Sequence, residues 1–317
     1  MLKLFSSWLT YDVLSIAKDT LLAKAINFFI YDTIKIFLLL IVIIFVISII
    51  RSFLPPEKVR NILSRKHKFT GNILAAMLGI ITPFCSCSAV PLFLGFVRAG
   101  VPLGVTFSFL VASPMINEVA LVLLMGLFGL KIAFIYIVSG MFISVISGGI
   151  IGRLKVERLV KEFVFAGNTA GTEIVTGMDW NQRLVYAKEY TVDILKKVWP
   201  YIIIGVGLGA WIHGYVPVDF LAKYAGRDKW YAVPFAVLIG IPLYSNAAGV
   251  IPLVSALTEK GVSMGTTLAF MMAVTGLSLP EFMILKTVMK TRLIVIFAGI
   301  VGIGIVFTGY LFNLIIK

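Results

Sequence analysis

Between Lys68 and Arg98 run 29 residues without a charge, and near their middle, where a membrane helix would place leucine, stands "TPFCSCSAVP", Thr82 to Pro91. About 20 apolar residues suffice to cross the ~30 Å hydrocarbon layer. This run is long enough to cross with residues to spare, or to enter and return. Pro83 removes a backbone donor and disfavours helix in the residue before it, so the segment is expected to break there, with Pro91 restarting or kinking it. Irregular backbone at membrane depth is tolerated only where protein or a water-filled cavity satisfies its amides and carbonyls. The rest of the chain must therefore enclose this break.

The run is one of a series. Ile36–Ile50, Val101–Leu130 (interrupted by Glu118) and Ile132–Ile151 flank it, and Val198–Val216, Trp230–Thr258, Gly261–Leu285 (containing Glu281) and Leu293–Ile316 follow a polar stretch. With 60% hydrophobic and 14% charged residues and a mean hydropathy of +1.02, the chain reads as an all-α polytopic membrane protein, multi-pass in the cell (inner) membrane. The net charge of +13 does not point to nucleic acid, because the Lys and Arg lie between the apolar runs, where they fix topology against anionic lipid. No short apolar core with a small-residue cleavage site lies near Met1, so no removable signal is expected.

The second set of runs copies the first in order and length. "IRSFLPPEKVRNILSRKHKFTG" from Ile50 aligns with "IHGYVPVDFLAKYAGRDKWYAV" from Ile212, Pro91-Leu92 with Pro252-Leu253, and "GVPLGVTFSF" from Gly100 with "GVSMGTTLAF" from Gly261. Glu118 aligns with Glu281 when two residues of slack are allowed. The expected organisation is an amphipathic lead-in over 1–32, a first transmembrane repeat over 33–152, a polar cytoplasmic linker over 153–197 and a second repeat over 198–317. Duplicated membrane proteins with broken helices are mostly secondary transporters.

Charge chooses between two topologies. If every run crosses once, the repeats are parallel and the loops sharing the cytoplasm hold about 13 of the 28 Lys and Arg. If 69–97 and 230–258 are instead re-entrant, each half crosses three times, the repeats are inverted, and about 18 of the 28 lie inside. The positive-inside rule prefers the second arrangement, two inverted repeats with broken or re-entrant helices.

The second repeat has its own break in "IPLYSNAAGVIP", with Pro242, Ser245, Asn246 and Gly249. Both breaks are expected to face one central cavity, which makes Cys85, Ser86, Cys87, Ser88, Ser245 and Asn246 candidate substrate ligands. The alternative is that these are small residues permitting close helix packing. A further break is expected in each third run, at Ser113-Pro114 with Asn117-Glu118, and at Pro280-Glu281. Ser113 and Asn117 join the candidate ligands. A carboxylate inside hydrocarbon is costly and usually faces the interior as a proton or ion site, so Glu118 and Glu281 are candidate coupling residues. Either acid could instead be a protonated glutamate hydrogen-bonded to a helix break, and Glu281, within five residues of Lys286, could be interfacial.

The stretch "TPFCSCSAVPLFLGFVRAGVPLGVTFSFLVASPMINE", Thr82 to Glu118, resembles the signature of the ArsP-type predicted permease family, with its Pro-Phe-Cys-Ser-Cys break, Gly-Val-Pro-Leu-Gly turn and Ser-Pro-x-x-Asn-Glu segment. The resemblance implies an inner-membrane permease, some of whose relatives export trivalent organoarsenicals, and it singles out Cys85, Cys87, Ser113, Pro114, Asn117 and Glu118. Thiolates are soft ligands that prefer soft ions. An arsenic already bearing one carbon needs two thiols, the number this chain has. Residues i and i+2 point ~200° apart on a helix, so Cys85 and Cys87 can hold one atom, metal or metalloid, only where the chain is extended.

Two function classes remain open at this stage. One is a permease moving a small-molecule or ion substrate across the bilayer, with no Walker-type nucleotide motif, no cofactor, no nucleic acid, and a homo-oligomer allowed for. The other is a membrane thiol oxidoreductase or metal-handling protein that uses Cys85 and Cys87 chemically.

Overall fold

Charged residues bound the helices and glycines turn them. The computed structural model describes residues 2–17, 20–53, 68–82, 86–116, 118–154, 156–161, 179–215, 229–243 and 247–316. Within them lie α1 (Leu2–Ser7), a π-helical turn (Trp8–Val13), α2 (Leu21–Phe53), α3 (Lys68–Ile81), α4 (Ser86–Arg98), α5 (Leu103–Met115), α6 (Glu118–Phe128) and α7 (Leu130–Arg153). A short 3₁₀ segment (Val156–Leu159) precedes α8 (Trp180–Tyr215), α9 (Ala232–Gly240), α10 (Ala247–Glu259), α11 (Met264–Gly276), α12 (Leu279–Val288) and α13 (Thr291–Ile315). The protein is all-α, as hydrocarbon demands of a chain that must pair its own backbone. Four described stretches are long and apolar enough to cross a membrane, and the bent pair α5–α6 makes a fifth.

The lead-in over 1–32 is built from several elements. Its first residues form two short turns, Leu2–Ser7 and Trp8–Val13, and α2 already begins at Leu21. Within the 153–197 stretch, α8 starts at Trp180 and runs on into the apolar Val198–Val216 run.

Helix starts recur with a fixed spacing. Leu103 and Met264, which open α5 and α11, and Leu130 and Thr291, which open α7 and α13, each stand 161 residues apart. Local chemistry repeats with them: Gly100 (φ 77°) and Gly261 (φ 83°) end α4 and α10 in the left-handed conformation. The Val101 and Val262 amides then donate to the Phe96 and Leu257 carbonyls, each at 3.0 Å, the 6→1 bond of a Schellman cap.

The packing of α3 on α5 fixes the path of the 69–97 run. A Cβ built on Gly79 would stand 3.0 Å from the Ala112 Cβ, so the last turns of α3 and α5 are level. Asn72, near the start of α3, lies beside Gly149 of α7, whose neighbour Gly148 abuts Gly104 at the start of α5. Helices α3 and α5 therefore run in the same direction. Since α4 begins five residues after α3 ends and stops just before α5 starts, α4 must return toward the level where α3 began. Gly240 repeats the contact on Ala273, where a Cβ would stand 2.9 Å from that side chain. The α9–α10 pair doubles back in the same way.

α5 and α11 form the centre. Every residue from Leu103 to Met115 is buried, as is every one from Gly265 to Gly276. Helices apolar all round belong inside a bundle. The outer helices α7 and α13 show Phe134, Val138, Phe142, Ile303, Phe307 and Leu314 to the surroundings, as lipid-facing walls do. Gly104 meets Gly148 and Gly152 backbone to backbone, and Gly265 meets Gly309 in the same way. Small residues let these helices approach closely where hydrocarbon offers no hydrophobic drive between them.

Candidate functional site

Helix α5 ends at Met115, and α6 leaves at an angle of 49° from it. Pro114 sits in the last turn of α5, which ends just beyond it with Ile116 as its C-cap. The corresponding break in the C-terminal set lies at Leu277-Ser278, with Pro280 at the start of α12. These breaks are brought together at the centre. A Cβ on Gly276, the last residue of α11, would stand 3.2 Å from Met115 Cε, so the ends of α5 and α11 meet at residues 161 apart. Farther along, a Cβ on Gly304 of α13 would stand 3.2 Å from Ile143 Cγ2 of α7, a second contact between residues with the same spacing.

Tyr136 ties the junction. From α7 its hydroxyl donates to the Met115 carbonyl at 2.8 Å, one of the carbonyls that a helix end leaves without an intrahelical partner. The Thr275 side chain lies beside the same phenol, its own hydroxyl donating to the Met271 carbonyl at 2.9 Å. A single fully buried side chain thus links the last turns of α5 and α11. The two kinds of break are also joined within the C-terminal set, where the Leu279 amide at the start of α12 donates to the Ile241 carbonyl at the end of α9, at 2.9 Å. Pro242 follows that carbonyl in a turn.

The acids are not equivalent. By the common spacing Glu118 corresponds to Leu279, and Glu281 to Ala120. The two-residue slack needed to align the carboxyls is therefore a real change of helix face, because two residues turn an α-helix by ~200°. Glu118 opens α6 with its side chain exposed, while Glu281 in the first turn of α12 is 0% exposed, as Ala120 is 1%. Glu281 is enclosed by the protein, although Lys286 on the same helix is not. Lys286 lies in the last turn of α12 and is exposed, and the carboxyl lies at the opposite end, beside the break. Ser278 and Glu281 have the Ser-x-x-Glu spacing of a helix start, where a negative group is also favoured by the helix dipole.

Of the other candidates, Ser113 is buried at 1% in the last turn of α5. By backbone, Ser86, Cys87 and Ser88 form the first turn of α4, and Pro91 lies inside that helix, which continues through it instead of restarting. Pro83, Cys85, Asn117, Ser245 and Asn246 lie outside the described residues. Among the described residues there is no group of three or more His, Cys, Asp or Glu able to hold a metal ion.

Sequence reasoning missed Tyr136 and the glycine contacts. A signal for them was present: Gly140, Ser144, Gly148 and Gly152 recur every fourth residue along α7, a small-residue ridge of the kind that marks helix interfaces in membranes.

A family model described as "Predicted permease" matches residues 21–314. The chain belongs to this permease family. Its relatives include the UPF0718 protein MJ0584 of Methanocaldococcus jannaschii, 24% identical over 309 residues that cover 80% of this chain and 85% of the relative. A Streptococcus mutans protein named as a subunit of a two-component membrane permease complex is 28% identical over 254 residues, covering 79% and 82%. The UPF0718 protein YcgR of Bacillus subtilis is 22% identical over 251 residues, covering 78% and 82%. No solved structure matches the chain. Family and helices together make this a multi-pass membrane permease.

Proposed function

We propose that this permease is an inverted-repeat secondary transporter that exports a small soft or thiophilic substrate, a trivalent organoarsenical or a soft metal ion, through a site between its two sets of helices. The observation that carries the reading is the junction of Met115 with Gly276, where two broken helices end against each other under the hydroxyl of Tyr136. Broken helices meeting at a repeat interface are how such transporters build a midplane site.

In this reading the six passes are α2, α5–α6, α7, α8, α11–α12 and α13, with α3–α4 and α9–α10 entering from opposite faces. The antiparallel bridge between Val160 and Met289 supports it. Val160 follows the end of α7 and Met289 follows the end of α12, and eight full crossings would put those ends on opposite faces. The repeats occupy 33–152 and 198–317, with the intervening stretch on the face that collects about 18 of 28 Lys and Arg.

Cys85 and Cys87 supply the soft ligands. Ser86, Ser88, Ser113, Asn117, Ser245 and Asn246 are the further proposed ligands, and Glu281, buried beside a break, is the favoured coupling carboxyl, ahead of Glu118. The name of the streptococcal relative adds the proposal of a second subunit. Everted vesicles assayed across arsenicals, soft metal ions and small anions, with and without a pH gradient, test the reading. Accumulation of a thiophilic substrate above vector controls is expected, and movement of none of the panel sinks it.

A further inference from the structure

The segment after α7 is docked, not merely threaded between the two sets of helices. Val160 and Met289 pair as an antiparallel bridge, with the Lys161 amide donating to the Val288 carbonyl at 3.0 Å and the Lys290 amide to the Leu159 carbonyl at 2.8 Å. Two ammonium groups reinforce it. Lys161 Nζ donates to the Lys286 carbonyl at 2.7 Å, and Lys290 Nζ to the Arg158 carbonyl at 3.2 Å. Val160 and Met289 are buried at 2% and 0%, so the clasp has a small apolar floor.

Its consequence is electrostatic. The described residues of 153–161 and 286–292 carry six Lys and Arg against one acid, Glu157, and the clasp brings these two sequence-distant segments onto one patch. Arg153, Arg158, Lys286, Lys290 and Arg292 are exposed. Like charges so gathered repel one another unless an anion lies among them. The patch also sits where the apolar helices α7, α12 and α13 end or begin, at the boundary between lipid and water.

We infer that this clasp is a binding site for the phosphate headgroup of an anionic lipid. A phosphodiester anchored in the leaflet meets the cations at that depth, and basic pockets between membrane helices bind such headgroups. Arg158 and Lys286 lend the clasp only their backbone carbonyls, so their side-chain charges can be removed with the clasp intact.

The full chain is purified in detergent and titrated with phosphatidylglycerol or phosphatidylcholine, with bound lipid counted by native mass spectrometry. Preferential retention of phosphatidylglycerol is expected, weakened by salt and by about fivefold for each charge lost in Arg158→Gln and Lys286→Gln, and retained in Lys286→Arg. Equal binding of the two lipids, or unchanged phosphatidylglycerol binding by the double Gln variant, overturns the inference. So does displacement of the lipid by inorganic phosphate at the lipid's own concentration, which would identify a soluble anion site, and retention of an acidic protein instead of lipid.

Discussion

Met115 and Gly276 close the last turns of α5 and α11 against each other, and the absence of a side chain at 276 is what lets them meet. A Cβ there would lie 3.2 Å from Met115 Cε and 3.7 Å from its Cβ. Alanine should be tolerated, because the end of a methionine is flexible. A leucine reaches farther than the Cβ and presses on Met115 beyond what its flexible end absorbs.

Gly276→Leu is therefore expected to separate the two helix ends and strongly reduce transport, at an overpacking cost of about 1–3 kcal/mol. Met115→Ala in the same chain should restore part of the activity by making room. Vesicle transport at matched expression checks both. A Gly276→Leu protein that transports normally would remove the junction from the mechanism.

Gly148 and Gly149 are neighbours on α7 with opposite surroundings. A Cβ at 148 would collide with the Gly104 carbonyl and the Ser108 side chain, whereas at 149 the nearest atom, Asn72 Nδ2, would be 3.6 Å away. Gly148→Ala should lower the melting temperature and the folded yield, with Gly149→Ala near wild type. Size-exclusion profiles and thermal melts in detergent distinguish them, and equal losses would contradict the packing described.

The proposed inverted repeats have a topological consequence. Single cysteines placed in 56–66 and in 156–161 should label from one face of the membrane, and those in 218–228 from the other. Labelling of 56–66 and 218–228 from the same face would restore parallel repeats.

The two carboxyls should separate in a pH-gradient assay. Glu281 is enclosed at a helix break, while Glu118 is exposed, and a coupling carboxyl must be shielded from free exchange with both sides at once. Glu281→Gln is expected to abolish gradient-driven transport and Glu118→Gln to reduce it less. Undiminished transport by Glu281→Gln would leave that carboxyl without a part in coupling.

Much of this was legible in the residues. Uncharged runs marked the membrane helices, and the Gly-Val-x-x-Gly turns at 100 and 261 set the register between the two sets. Proline was a less reliable guide. α4 runs through Pro91, since a proline's missing donor and ring bulk bend or break a helix depending on what surrounds it. The acids misled for a related reason. Aligning Glu118 with Glu281 favoured chemical likeness over helix phase, and two residues of slip exchange the outer face for the inner one. Tyr136 was hidden because its partners, Met115 and Thr275, are far away in the sequence.

The cysteines decide the substrate class. If Cys85 and Cys87 grip a soft substrate, Cys85→Ser and Cys87→Ser should each abolish most transport of a thiophilic substrate, since one thiolate cannot chelate and serine is a hard, protonated ligand at neutral pH. Folding should survive, because serine is close to cysteine in size. If the pair serves only close packing, both serine variants should fold and transport almost normally, and Cys→Leu should be the damaging change through overpacking. The two accounts order the variants oppositely. Comparing serine and leucine substitutions at matched expression, with transport and melting temperature read on the same preparations, therefore separates a ligand from a spacer. Loss of transport with an unchanged melt in the serine variants points to ligation, and a lowered melt confined to the leucine variants points to packing.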